Sequence, residues 1–190
     1  MNATVQRSLD LLFSATGLLL LWPLLLLLLG LGWLDTRAPL LRQLRVGRGQ
    51  RPFVLFKLRS MRPETAHVAS HLADPAAITR YGRFLRRSKL DELPQLINVL
   101  RGDMSLVGPR PCLPSQTELI EARARLGVFA ARPGITGLAQ LSGIDMSTPQ
   151  RLAETDARML QTLRLGAYLR YLAHTALGKG AGDAVKPSRP

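Results

Sequence analysis

Asp91 and Glu92 stand side by side in SKLDELPQL, within a chain of 190 residues whose formal net charge is +13. Arg80, Arg83, Arg86, Arg87 and Lys89 precede them, and Arg101 and Arg110 follow. Two acids in such a field have a local reading and a chemical one. Locally, Ser88 and Asp91 form a loose capping box, and Glu92 in a first helical turn complements the helix dipole. Chemically, free N–H groups at a helix start and clustered guanidinium groups hold a phosphate beside the acids. A carboxylate repels a phosphate unless something intervenes. Mg²⁺ does so, taking one or two carboxylates together with substrate phosphate oxygens. A carboxylate nucleophile is the other route, because Asp can attack phosphorus and form an acyl phosphate. Arginines would then neutralise the transferring group, and catalysis would rest on positioning and electrostatics. Adjacent helical residues point about 100° apart, so the two acids have different roles.

The elements that present this pair follow from spacing. Tyr81, Phe84, Leu85, Leu93, Leu96, Ile97 and Leu100 recur at helical intervals with a break near Ser88. That pattern predicts two helices with a bend between them, the second ending at Gly102. If Pro94 stands in the first turn, the second helix runs from it through Leu100 with both acids at its positive end. If the helix starts at Ser88, the proline deletes a bond to Leu90 and bends it. Upstream, Gly47 and Gly49 interrupt residues 42–61, and PFVLFKL reads as a strand, giving a short hairpin or extended arm. Residues 62–78 form a polar connection, where His67 and His71 read as solvated histidines. MSLVGPRPCLP, with Pro109, Pro111 and Pro114, reads as a stiff extended loop. SQTELIEARARLGVFA reads as an amphipathic helix capped by Ser115, with Glu118 three residues on. RPGITGLAQLSG is glycine-punctuated loop. The last element is helical, with Pro149 and Glu154 near its start. Tyr168, Tyr171 and Leu172 with Arg164 and Arg170 give it a basic amphipathic face suited to a membrane surface. The fold class expected is mainly α with a short β-hairpin, α+β.

Leu11 to Leu34 carries no charge and is bracketed by Asp10 and Asp35. As a helix it would reach roughly 36 Å, longer than a typical hydrocarbon core. Pro23 removes the bond to the Leu19 carbonyl, so the run is either a kinked span or a re-entrant pair of half-helices. The h-region is too long for a cleaved signal peptide. Arg37, Arg42, Arg45, Arg48 and Arg51 follow closely and place the C-terminal portion in the cytoplasm. Lys and Arg total 26 against 13 Asp and Glu, which argues for an anionic partner. Aromatics are only 5%, a poor supply of stacking platforms, so nucleic acid is not the expected partner. Cys112 is alone and cannot form an internal disulfide.

FKLRSM, SKLDELPQLINVLRGDMSLVGPRP and RPGITGLAQLSG, in that order after a proline-interrupted apolar helix, resemble the bacterial sugar transferase family. The likeness is to its small monotopic polyprenol-phosphate phosphoglycosyl transferases, in their minimal catalytic form. The resemblance implies a re-entrant membrane helix over residues 1–36 broken at Pro23, a catalytic domain over 37–178, and a flexible tail over 179–190. It implies a body on the cytoplasmic face of the bacterial inner membrane, with interfacial amphipathic helices among the membrane lipids. It further implies Mg²⁺, a UDP-sugar donor and undecaprenyl (polyprenol) phosphate as acceptor. The reaction would pass through a covalent phosphosugar-aspartyl intermediate, release UMP and initiate glycoconjugate assembly. By motif position Asp91 is the nucleophile and metal contact, and Glu92 its catalytic partner. Arg86 and Arg110 bind phosphate, joined by Lys57 and Arg59 of the lysine-x-arginine motif. Many relatives carry Ser-Pro at the helix break, whereas this chain has Trp22-Pro23. Gly102, Gly108, Gly134, Gly137 and Gly143 read as backbone devices. Two other classes remain: a membrane-anchored basic module without catalysis, and a direct glycosyl transferase releasing UDP.

Overall fold

The computed structural model describes residues 1–65 and 74–180. His67 and His71 lie outside the described residues, as does the tail beyond Gly180. Helix α1, Ala3–Thr36, is capped by Asn2, whose side chain accepts from the Thr4 N–H. Its leucines are strong helix formers. Of the kinked span and the re-entrant pair of half-helices left open at Pro23, neither is singled out: α1 is one helical element that contains the proline. A single proline deletes one backbone bond, and contacts on both sides of it hold the helix to the body. Asp10 and Leu28 are buried, as are Ser14 and Gly32. Each pair lies five whole turns apart, so one stripe faces the protein along the helix.

Both ends of α1 are tied to the same body. Near its start, Arg7 donates to the Val99 and Leu100 carbonyls at 2.6 and 3.1 Å. Asp10 Oδ1 accepts from the Leu106 N–H at 3.0 Å and from the Tyr168 hydroxyl at 2.8 Å. Toward its end, the Tyr81 hydroxyl donates to the Leu28 carbonyl at 2.6 Å and the Thr79 hydroxyl to Asp35 at 2.7 Å. The opposite face is bare leucine and tryptophan: Leu19 is 73% exposed, Leu20 70% and Trp22 55%.

Strands β1, Leu40–Val46, and β2, Pro52–Leu58, form the expected antiparallel hairpin, with Leu41 opposite Lys57. Asn98 closes the free edge of β2, accepting from the Phe56 N–H at 3.0 Å and donating to the Val54 carbonyl at 2.7 Å. Helices α2, Arg80–Ser88, and α3, Gln95–Arg101, are the expected bent pair, and Gly102 in the left-handed region ends the second. The two stretches read as loops are in part strand. β3, Ser105–Val107, pairs in parallel with β4, Gly134–Thr136. Their close approach explains a glycine: a Cβ on Gly134 would stand 2.0 Å from the Gly108 nitrogen. Helix α4, Thr117–Arg125, starts after Gln116, not at Ser115; the Gln116 side chain is engaged with the Leu113 N–H. A short α5, Leu138–Leu141, leads to α6, Pro149–Thr162, and α7, Leu165–Ala176.

The interfacial face expected on the last helix is also corrected. Tyr168 is fully buried in the core with Leu55, Val99, Val107 and Met159, and Tyr171 and Leu172 pack against that cluster. The buried Asp10 carboxylate draws the tyrosine inward, and burial and that bond push the phenol up so that it stays a donor. Replacing Asp10 by Ala should strip two buried donors of their acceptor and lower stability by roughly 2–4 kcal/mol. Denaturation in detergent checks this, with Leu20→Ala on the bare face staying within about 0.5 kcal/mol of the parent.

Candidate active site

The turn that carries the acids is set by its neighbours. Ser88 does not cap a helix start; its hydroxyl bonds back to the Phe84 and Leu85 carbonyls, at the end of α2. Lys89 then enters the left-handed region (φ 57°) and reverses the chain into a 3₁₀ turn, Leu90–Glu92. Pro94 immediately precedes α3, so the helix starts after the acids. Leu90 and Leu93 pack on Leu28, Leu58 and Leu85, anchoring the turn on α1 and β2. Asp91 and Glu92, between them, are turned inward to cations and are 3% and 7% exposed.

The two acids take different cations. Lys57 Nζ, on the core face of β2, meets Asp91 Oδ2 at 2.6 Å, and Arg110 Nη2 meets Glu92 Oε1 at 2.9 Å. Each acid commits one carboxylate oxygen to its cation. Lys89 lies beside them; burial lowers its hold on its proton first, Glu92 raises it and Arg110 lowers it again. Arg86 donates to the Ser60 hydroxyl at 2.8 Å, beside the end of β2 that carries Lys57. Arg59 is turned to the chain link after α1, with its Nε on the Ala38 carbonyl at 2.8 Å. Lys57 and Arg110 are thus drawn to the dyad, Arg86 to its flank, and Arg59 to a structural carbonyl. Thr136, Gln140 and Thr175 with Lys89, Glu92 and Arg110 line a small polar recess. Gln140 donates to the Ile135 carbonyl, and its buried Oε1 has no partner among the described residues.

No group of three or more His, Cys, Asp or Glu converges among the described residues. The donors on offer for a metal are one oxygen from each of two adjacent carboxylates. That set suits Mg²⁺, which completes its shell with water and substrate phosphate.

The family described as "Bacterial sugar transferase" matches residues 1–179. The chain is 41% identical over 181 residues to a UDP-glucose:undecaprenyl-phosphate glucose-1-phosphate transferase of Caulobacter vibrioides, covering 90% of this chain and 67% of that protein. It is 38% identical over 178 residues to the exopolysaccharide production protein PSS of Rhizobium leguminosarum, covering 86% of each. A UDP-glucose:undecaprenyl-phosphate glucose-1-phosphate transferase of Xanthomonas campestris is 40% identical over 147 residues, 74% of this chain but only 30% of that protein. The chain belongs to the bacterial sugar transferase family.

In this sugar transferase the loop that carries Arg110 is held by residues the sequence reading passed over. Arg123 on α4 donates from Nη1 to the Arg110 carbonyl at 2.8 Å, and from Nε and Nη2 to Asp156 Oδ2 on α6 at 3.0 and 2.6 Å. Arg45 Nη1 donates to the Pro111 carbonyl and the Val46 N–H to the Cys112 carbonyl, each at 2.9 Å. Arg123 is 2% exposed and Asp156 1%. Burial pushes the Asp156 carboxyl up, and Arg123 pulls the other way. A signal for the pair was available: Arg123 is four residues from Leu119, and Asp156 lies between Leu152 and Met159 on an apolar stripe.

Arg123→Met alone should lose about 3–5 kcal/mol, because it leaves a buried carboxylate unpaired. Adding Asp156→Leu should recover most of that loss. Both variants should show faster amide hydrogen exchange across residues 110–113, since neither restores the clamp on the Arg110 carbonyl.

Proposed function

We propose that the chain transfers a phosphosugar from a UDP-sugar to a polyprenol phosphate, releasing UMP. The observation that carries this reading is the buried Asp91, oriented by Lys57 at 2.6 Å and backed by a second acid paired with Arg110. Lys57 fixes the direction of the carboxylate, so the second oxygen is presented for attack. That oxygen attacks the sugar-bearing phosphorus; the bond to the bridging oxygen breaks, and UMP leaves. Arg110 and Arg86 neutralise phosphate charge around the reacting centre. In the second step an oxygen of the acceptor phosphate attacks the same phosphorus and Asp91 leaves as a carboxylate, which forms the polyprenyl diphosphate sugar. Glu92 holds Arg110 in place and flanks the acceptor. Asp91 and Glu92 would hold Mg²⁺, which would supply further charge neutralisation there. The product would initiate glycoconjugate assembly. The names of the Caulobacter and Xanthomonas relatives, which act between UDP-glucose and undecaprenyl phosphate, support this reading.

The membrane placement belongs to the same proposal. A helix whose two ends bond to one body does not put those ends on opposite sides of a bilayer. α1 therefore enters the inner membrane from the cytoplasmic face by its bare apolar side and does not cross. Leu28, at its buried stripe, packs under the turn that carries Asp91. This brings the reacting carboxylate to the level where a membrane-borne phosphate arrives.

Asp91→Asn, compared at equal folded fraction, should lower UMP release from UDP-sugars with Mg²⁺ by about 10³-fold or more. Release at the parent rate would refute the nucleophile, and release of UDP in place of UMP would refute the reaction class. A cysteine introduced at Asn2, with Cys112 replaced, should be labelled in membrane vesicles only from the cytoplasmic side. Labelling from the opposite side would restore a spanning helix.

A further inference from the structure

The far end of the hairpin carries charge that the dyad does not use. The turn between β1 and β2 holds Gly49 and Gln50 in the left-handed region (φ 61° and 60°) and exposes Arg48 and Arg51. Facing it is Arg132, whose Nε donates to the Gly102 carbonyl at 2.9 Å. Arg7 lies alongside, bonded to two carbonyls near the C-terminal end of α3. Those carbonyls account for Arg7 and for one edge of Arg132. They do not account for Arg48 or Arg51, neither of which has an ion pair among the described residues. Burial and the charges of Arg7 and Arg48 together loosen the Arg132 proton, with Asp10 opposing. The nearby acids are committed elsewhere: Asp103 accepts from Asn98, and Asp10 from Leu106 and Tyr168.

Two cavities meet at Arg48 and Arg132. One, of about 590 Å³, sets Arg51 and Asp103 beside Pro52 and Phe53 in its wall. The other, of about 420 Å³, has Leu126, Ala130, Ala157 and Leu160 in its wall together with Gln6, Arg7, Asp10 and Gln161. Guanidinium groups shared by the two cavities, beside the apolar stretch of Leu126, Ala130 and Leu160, match a phosphate that joins a polar head to a hydrocarbon chain. Lys57 and Pro52 stand at opposite ends of β2, about 17 Å apart, so this cleft is separate from the dyad.

We propose that the cleft binds one anionic phospholipid, with its phosphodiester at Arg48 and Arg132 and the start of an acyl chain along Leu126 and Leu160. Leu126, 41% exposed, forms the mouth. The inference rests on the membrane placement above, which makes a lipid the phosphate source at hand. It adds a site that would set how the body is oriented on the bilayer.

The test uses the full chain with phosphatidylcholine vesicles, alone or with about 30% phosphatidylglycerol. Binding to neutral vesicles through α1 tests the placement, and the gain on adding phosphatidylglycerol tests the site. A basic residue near an anionic surface contributes about 1 kcal/mol, roughly fivefold. Arg48→Gln with Arg51→Gln should therefore remove at least about fivefold of the gain, and Arg151→Gln with Arg170→Gln much less. Native mass spectrometry should find phosphatidylglycerol retained by the parent chain and lost from the Arg48/Arg51 variant. Equal losses in the two paired variants would reduce the effect to diffuse charge and overturn the site. Binding of inorganic phosphate, followed by ³¹P NMR, without any phosphatidylglycerol gain would overturn the lipid assignment.

Discussion

The 2.6 Å contact between Lys57 and Asp91 is the constraint on which the site's arrangement depends. Both side chains are nearly closed to solvent, and a buried charge without its partner is strongly destabilising. The hairpin and the 3₁₀ turn must therefore stay in register. Asn98 enforces the same register from the other side by bonding two backbone groups on the edge of β2. One asparagine and one ion pair thus place a strand, a turn and a helix around a single carboxylate. Arg123 and Asp156 repeat the device on the opposite wall, where their pair clamps the loop that brings Arg110 to Glu92. Both acids of the dyad are held by basic residues whose backbone segments are fixed by polar contacts.

The apolar helix is part of this construction and not merely an appended anchor. One stripe of α1 carries Asp10, which bonds β3 and α7, and Leu28, which packs under the dyad turn. The other stripe is bare leucine. The same helix therefore stabilises the body and presents an apolar surface. For the proposed transfer between a water-soluble and a membrane-borne substrate, that arrangement would tie the position of the reacting group to the depth of the helix.

Much of the candidate site's arrangement was legible because its residues stand out by type. An acid pair within a run of arginines, a lysine on a strand otherwise rich in Val, Phe and Leu, and an arginine between prolines all stand out by charge and context. The hairpin was legible from Gly47 and Gly49, and the end of α3 from Gly102. The parallel pair of β3 and β4 was hidden because each strand is three residues long and almost wholly buried, with no alternating pattern to read. The reversal at Lys89 was hidden because a lysine, unlike a glycine, does not advertise a left-handed conformation. The inward turn of Tyr168 depends on Asp10 at the other end of the chain, a partner that no local pattern reveals. Ser88 had the right type for a cap, but the preceding helix took its hydroxyl first.

As the proposed nucleophile, Asp91 should carry the phosphosugar covalently between the two steps. Intact-protein and peptide mass spectrometry on the detergent-solubilised chain, given UDP-sugar and Mg²⁺ but no acceptor, tests it most directly. The account predicts a sugar-phosphate adduct on the peptide containing Asp91, formed as UMP appears and lost when polyprenol phosphate is added. UMP release with no adduct, or an adduct on another residue, would contradict it.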